Sequence, residues 1–187
     1  MQTQFHGLTF VTEPGRVFSP RATTEKLVDA ALERLGEAPA RVADVGTGSG
    51  VVAVTLALRA PQIEVWASDT CTDALRVASA NAERLGAQLH LVHGDLLDGL
   101  PRDLVLIVAN LPYLAPDTPG YEDEPKAAVF STGDGLDHYR RLLAGAADHL
   151  ATGGGVILQF EGQVLEAERS ELPWLRGRLE SLVAAAA

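Results

Sequence analysis

The chain predicts an α/β fold, a doubly wound and mostly parallel sheet, on three observations. The stretch Arg41-Val42-Ala43-Asp44-Val45 runs into Gly46-Thr47-Gly48-Ser49-Gly50 and then into the apolar segment Val51 to Leu58, which reads as strand, glycine turn and helix. Two more short strands, Glu64 to Asp69 and Leu89 to Asp95, each finish in an acid. A further one, Leu104-Val105-Leu106-Ile107-Val108-Ala109, is apolar throughout, as a strand covered on both faces must be, and finishes in Asn110-Leu111-Pro112-Tyr113. In open sheets of this kind ligands bind beyond the carboxyl ends of the strands, so the four endings point to one place.

Taken in order, Leu8-Thr9-Phe10-Val11 and Arg16-Val17-Phe18 flank Glu13-Pro14-Gly15, which predicts a short N-terminal β-hairpin lying over the bound ligand. Residues 1–22 are read as a leader carrying that hairpin and residues 23–187 as a single domain. Leu27, Ala31 and Leu35, with Val28 and Leu32 beside them, form an apolar stripe at helical spacing before the first strand. Leu75, Ala78, Ala82 and Leu85 make a second stripe, and Tyr139, Leu142, Leu143, Ala146 and Leu150 a third; both helices are expected to cover the sheet. Pro112 to Pro125 is rich in proline and acids and is read as a mobile substrate loop. The fifth strand is Gly155 to Glu161, and after it Glu166 to Ser170 and an alanine-rich end give no further strand. The sheet reads as incomplete at that edge, and its unpaired backbone suggests a partner chain, whether a small subunit or a second copy, a compensating rearrangement or a natural remnant.

Composition narrows the function. With 187 residues, 47% of them hydrophobic, the chain can bury one sizeable core. A formal net charge of −10 gives no basic face for phosphates and disfavours nucleic acid, and Arg169, Arg176 and Arg178 read as a solvated helix face. Cys71 is the only cysteine, which rules out an intrachain disulfide and suits a reducing compartment. The five histidines lack ligand spacing with it, so no metal is expected. There is no long apolar run for a membrane span and no signal-peptide pattern; the expected location is cytoplasmic.

The strand endings carry chemistry. Gly-x-Gly-x-Gly lets the backbone approach a ligand closely but is not the Gly-x-Gly-x-x-Gly of dinucleotide sites, which argues against a nicotinamide-dependent oxidoreductase. Asp44, just before the loop, would repel a pyrophosphate and suits a ligand with a cationic amino group. Asp69 lies nineteen residues past Gly50, where an acid grips ribose hydroxyls, and Asp95 can accept from the exocyclic amine of adenine. The side-chain oxygen of Asn110 and the carbonyl of Leu111 can accept from an incoming NH2 group, Pro112 stiffens the chain, and the Tyr113 ring can stack on a flat amide or base. Singly, each acid also reads as a helix cap and the tetrapeptide as a turn. Together they describe a nucleoside site with a methyl acceptor beside it.

On these residues the chain resembles the class I S-adenosylmethionine-dependent methyltransferases, and within them the HemK-like peptide chain release factor N(5)-glutamine methyltransferases. Val17-Phe18-Ser19-Pro20-Arg21 with Thr24 to Val28, Ser68 to Leu75 with Asn81-Ala82, and Glu124-Pro125 followed by Gly133 to Asp137 and Tyr139-Arg140 all match that family. The resemblance implies a Rossmann-like sheet, S-adenosylmethionine as cofactor, and a release factor as the protein substrate. It implies cofactor contacts at Gly46, Thr47, Gly48, Ser49, Gly50, Asp69, Thr70, Asp95 and Leu96, alongside Asp44 and Asn110, and a catalytic tetrapeptide at Asn110, Leu111, Pro112 and Tyr113. The chain departs from the family's pattern in three places. Leu111 replaces the first proline of Asn-Pro-Pro-Tyr, Arg21-Ala22-Thr23-Thr24-Glu25 replaces Arg-Pro-Glu-Thr-Glu, and the helical recognition domain usual before the catalytic one is not seen. Asn-Leu-Pro-Tyr is also typical of ribosomal RNA adenine dimethyltransferases, so an N(6)-adenine methyltransferase on RNA or DNA is an alternative. A non-catalytic S-adenosylmethionine-binding subunit is another.

Overall fold

The structure, a computed structural model, describes residues 1–115 and 118–186. A two-stranded hairpin, β1 (Gln2–Phe5) and β2 (Leu8–Val11), is followed by α1 (Glu25–Leu35), β3 (Ala40–Val45), α2 (Val51–Arg59), β4 (Ile63–Asp69), α3 (Thr72–Leu85) and β5 (His90–His93). Then come β6 (Leu104–Ala109), the single turn α4 (Lys126–Val129), α5 (Asp137–His149), β7 (Leu150–Phe160), β8 (Gln163–Glu168) and α6 (Leu172–Ala186). The main sheet has the order β5-β4-β3-β6-β7-β8, parallel except where β8 runs antiparallel to β7. The order reverses direction beside β3 and β6, so the glycine turn after β3 and the tetrapeptide after β6 sit side by side at the switch point, where ligands bind.

Alternation along the central strands sorts their side chains into two layers. Val42, Leu106, Val108 and Ile157 pack with α1, α2 and the hairpin rings Phe5 and Phe10. Ala43, Val45, Ile107, Ala109, Val156 and Leu158 pack with Tyr139, Leu142 and Ala146 of α5 and Leu172, Leu175 and Leu179 of α6. Both faces are covered, which is why β6 reads as an unbroken apolar run. No helix among the described residues is long and apolar enough to cross a membrane.

Two expectations need correction. The hairpin exists, but its turn is His6-Gly7 and not Glu13-Pro14-Gly15; both turn residues have positive φ, 50° and 75°, the geometry that matches strand twist in a two-residue connection. The Glu13 carbonyl instead accepts from the N–H groups of Arg16 and Val17 in a local turn, so Arg16-Val17-Phe18 form no strand. The hairpin is docked by Asn81, fully buried, whose oxygen accepts from Val11 N–H at 2.8 Å while its nitrogen donates to the carbonyls of Val11 and Ser49 at 2.9 Å. It therefore braces the glycine turn from behind. The second correction is at the other edge: β8 does follow the fifth strand, after Glu161-Gly162 with φ of 48° and 74°. A polar edge strand lacks the apolar run that marks the central ones.

Gly50 ends the glycine turn at φ +79°, and a Cβ there would stand 2.9 Å from the Ala78 Cβ of α3. Gly50→Ala should therefore lower the unfolding free energy by about 2 kcal/mol, backbone strain and crowding acting together, as read from the shift in a urea unfolding midpoint at unchanged m-value.

Candidate active site

A cleft of about 200 Å³ opens at the carboxyl ends of β3, β4 and β6. Asp44, Gly46, Thr47, Gly48 and Ser49 form one wall; Asp69, Thr70, Asp95 and Leu96 form a second; Asn110, Leu111 and Pro112 form a third. The structure thus brings nearly every residue singled out in the sequence to one cavity. Gly50 lies behind the wall, packed on α3. Tyr113 belongs to a second, smaller hollow.

Asp44, the penultimate residue of β3, is buried at 3% exposure with its carboxylate against the first turn of α2. Its Oδ2 accepts from the Thr47 hydroxyl at 2.7 Å and from the Ala53 N–H at 3.1 Å. The protein's own carboxylate therefore occupies the anion-attracting end of this helix, the position a phosphate takes in dinucleotide sites. Burial pushes its carboxyl up to about 6, against the pull of the Thr47 and Ala53 hydrogen bonds, and the nearby Asp69 carboxylate adds to the rise. A cation in the cleft would favour the ionised form.

Asp69 spends its carboxylate on the loops around it. Its Oδ2 accepts from Gly48 N–H at 2.9 Å and its Oδ1 from Cys71 N–H at 2.8 Å, which fixes the carboxylate at the mouth of the glycine turn. Gly48 holds φ +55° with nothing within 4 Å of where a Cβ would be, so the backbone presents a bare surface to the cleft. Asp95 pairs with Arg141 of α5 at the surface, and the Leu96 carbonyl beside it accepts from the buried Ser68 hydroxyl at 2.8 Å.

The tetrapeptide stands between two cavities. The smaller hollow, about 70 Å³, shares Phe18, Thr24, Asn110, Leu111, Pro112 and Ala128 with the larger cleft and adds Tyr113, Tyr121, Arg21, Thr23 and Gln159. The Asn110 nitrogen donates to the Thr24 hydroxyl at 3.2 Å. Leu111 is clamped by Tyr139, whose hydroxyl lies 3.1 Å from its N–H and its carbonyl and 2.6 Å from the Gln159 carbonyl. The segment from Pro112 to Pro125 includes residues 116 and 117, outside the described residues; near its end Glu124 accepts from Ser19 N–H at 3.0 Å and from Arg21 at 3.3 Å. Sequence reasoning treated Tyr139 as core and passed over Thr23, Thr24 and Gln159 as site residues. No spacing signal ties positions 23, 110, 139 and 159 together, because only the sheet order makes them neighbours.

The family model described as methyltransferase small domain matches residues 7–122, a stretch that contains the glycine turn, both strand-end acids and the tetrapeptide. The chain belongs to that family. This methyltransferase-domain chain is 40% identical over 177 residues to the release factor glutamine methyltransferase of Bordetella pertussis, covering 90% of this chain and 65% of that protein. It is 43% identical over 164 residues to the release factor glutamine methyltransferase of Neisseria gonorrhoeae, covering 83% and 59%. The chain thus spans roughly three fifths of the length of these relatives, and the resemblance seen in the sequence is borne out. The T. thermophilus 16S rRNA N2 G1207 methyltransferase (RsmC), solved with AdoMet and guanosine, shares the fold at a TM-score of 0.64 and 20% identity, over 84% of this chain and 40% of that one.

The folded-state pKa of Asp44 lies above its ordinary 3.8, so its contribution favours the fold below about pH 4 and is lost as pH rises through about 6. Asp44→Asn should then gain up to about 3 kcal/mol of unfolding free energy at pH 7.5 and none at pH 3.5. Urea titrations across that range check it; an equal change at both values would show that the buried charge is not the cause.

Proposed function

We propose that this methyltransferase-domain chain moves a methyl group from S-adenosylmethionine to the side-chain amide nitrogen of a glutamine in a protein, a translation release factor. The observation that carries the reading is the position of Asn110 between two hollows, with its amide nitrogen tied to Thr24 and its oxygen left for an acceptor. The names of the relatives support the substrate class. The chemistry of the larger cleft suits the donor: a buried carboxylate for a cationic amino group, a bare glycine backbone, and strand-end acids for hydroxyl and amine groups.

S-adenosylmethionine, when bound, supplies an electrophilic methyl on a sulfonium; its transfer makes an N–C bond, breaks the S–C bond, leaves S-adenosylhomocysteine and releases one amide proton to water. The chain's residues do the rest by placement. An amide nitrogen is a poor nucleophile because its lone pair is delocalised, so most of the gain comes from holding it in line. Asn110 fixes the acceptor NH2 and favours positive charge growing on it. Pro112 and the Tyr139 clamp fix the backbone at Leu111, and the bond to Thr24 holds the Asn110 side chain. The Tyr113 ring, 4.9 Å from Phe160, forms a flat wall for the amide plane. No general base precedes the transfer, since the proton leaves after the nitrogen has gained its charge.

Asn110→Ala should lower kcat for methylation of a purified bacterial release factor by about a hundredfold or more, the usual cost of removing one aligned polar group from the transition state. Binding of S-adenosylhomocysteine should remain measurable by calorimetry. Undiminished turnover would remove Asn110 from the role.

A further inference from the structure

Two segments far apart in the chain roof the two cavities, and one carboxylate joins them. The first is residues 12–21, an irregular strap between β2 and α1: its Arg16, Val17, Phe18 and Pro20 line the larger cleft, while Phe18 and Arg21 line the smaller hollow. The second is residues 119–124, which lends Tyr121 to the hollow and nothing to the cleft. Glu124 closes the gap between them. Its side chain is 8% exposed and both oxygens are used, Oε2 by the Ser19 N–H at 3.0 Å and Oε1 by the Arg21 guanidinium at 3.3 Å. Among the described residues, every hydrogen bond between the two segments ends on this carboxylate. The Arg21 guanidinium then lies 5.5 Å from the Phe18 ring centroid and 4.9 Å from that of Tyr121, one ring from each segment.

The strap itself is lightly held. Val17, its buried anchor, packs with Ala74 and Val77 of α3 in a cluster apart from both layers of the core, and Glu13 pairs with Arg76 of the same helix at the surface. Irregular backbone with so little apolar burial belongs to the less stable part of a fold, so whatever fills the cleft decides how firmly it closes. A ligand there packs against Phe18 and Pro20 and binds the closed strap better than an open one, the differential affinity that a shift in population requires. We propose that Glu124 is a positioning residue that carries this closure to the acceptor. S-adenosylmethionine settles the strap, the Glu124 carboxylate draws residues 119–124 onto it, and the hollow takes its shape only then. The donor therefore binds first, and donor and release factor strengthen each other's binding.

The inference rests on the proposed glutamine methylation for the identity of the acceptor, and the test separates the two. Amide hydrogen exchange in the strap and in residues 119–124 is followed with and without saturating S-adenosylhomocysteine, and the Kd of a purified bacterial release factor is measured under the same two conditions, in wild type, Glu124→Ala, Glu124→Gln and Arg21→Ala. In wild type, S-adenosylhomocysteine should slow exchange several-fold in both segments and tighten release-factor binding about tenfold. Glu124→Ala should keep the slowing in the strap, lose it in residues 119–124 and bring the tightening below about twofold; a residue that merely stabilised the fold would leave that ratio where it was. Glu124→Gln still accepts from Ser19 N–H and should retain a ratio above about threefold. Arg21→Ala, whose side chain is 43% exposed, removes one of the two bonds, should reduce both effects, and keeps the test decisive if Glu124→Ala does not fold. Residues 119–124 left unprotected in wild type, or both effects undiminished in folded Glu124→Ala or in Arg21→Ala, overturn this inference alone. Exchange coupling in a wild type that never methylates glutamine leaves it standing and overturns the proposed function.

Discussion

One phenol holds the ends of β6 and β7 together beside the smaller hollow. The Tyr139 hydroxyl has a single proton, and the shortest contact, 2.6 Å to the Gln159 carbonyl, takes it, leaving the oxygen to accept from Leu111 N–H at 3.1 Å. The ends of two neighbouring strands, β6 and β7, are thereby joined through a side chain from α5. The ring is completely buried and meets Phe160 edge-on at 5.6 Å, so the phenol cannot swing away without opening the core. Burial raises its ionisation well above the ordinary tyrosine range, so it remains a neutral donor wherever the protein is folded. Close approach finishes the clamp: a Cβ on Gly135 would lie 2.3 Å from the Tyr113 carbonyl, so the loop before α5 can press on the tetrapeptide only because that residue is glycine.

The larger cleft depends on a carboxylate placed where many nucleotide sites put a phosphate. Asp44 satisfies Ala53 N–H at the start of α2 and pays for its burial with a raised pKa. An incoming diphosphate would meet that charge at short range in a poorly solvated cleft, whereas a ligand with ammonium and sulfonium groups relieves it. Asp69 reinforces the preference, since it adds a second negative charge near Asp44 while its oxygens order the glycine turn. Stability and affinity are coupled through one group, and the charge that weakens the empty fold is the one a cationic ligand repays in binding.

Much of this was legible in the sequence, for a physical reason. β6, buried on both faces, is apolar from end to end, and β3 and β4 are apolar over most of their length, so these strands announce themselves and the polar residues at or beside their ends, Asp44, Asp69 and Asn110, stand out against them. What escaped was of two kinds. The hairpin turn at His6-Gly7 and the polar strand β8 are edge features, and edges lack the double burial that writes a strong pattern. Tyr139 reads as core, and Gln159, Thr23 and Thr24 carry no site signal, because their contacts exist only once strand order places β7 beside β6 and residues 22–24 across both. An ordinary apolar-stripe assignment for Tyr139 is correct as far as it goes; the ring does fill the core, and the hydroxyl at its tip does the positioning.

Charge around the smaller hollow bears on which acceptor it suits. Arg21 is the cation that borders it, and that arginine is committed: it bonds Glu124 at 3.3 Å, where the acid is 8% exposed, and lies 4.9 Å from the Tyr121 ring centroid and 5.5 Å from that of Phe18. A nucleic-acid acceptor would bring phosphates to a chain of net charge −10 whose cation at this point is already neutralised and stacked. The rest of the hollow's lining is uncharged: the carboxamides of Asn110 and Gln159, each bonded through its nitrogen to a threonine, stand beside the ring of Tyr113. The electrostatics therefore suit a neutral polar group better than a phosphate, and they do so through residues that lie far apart in the chain.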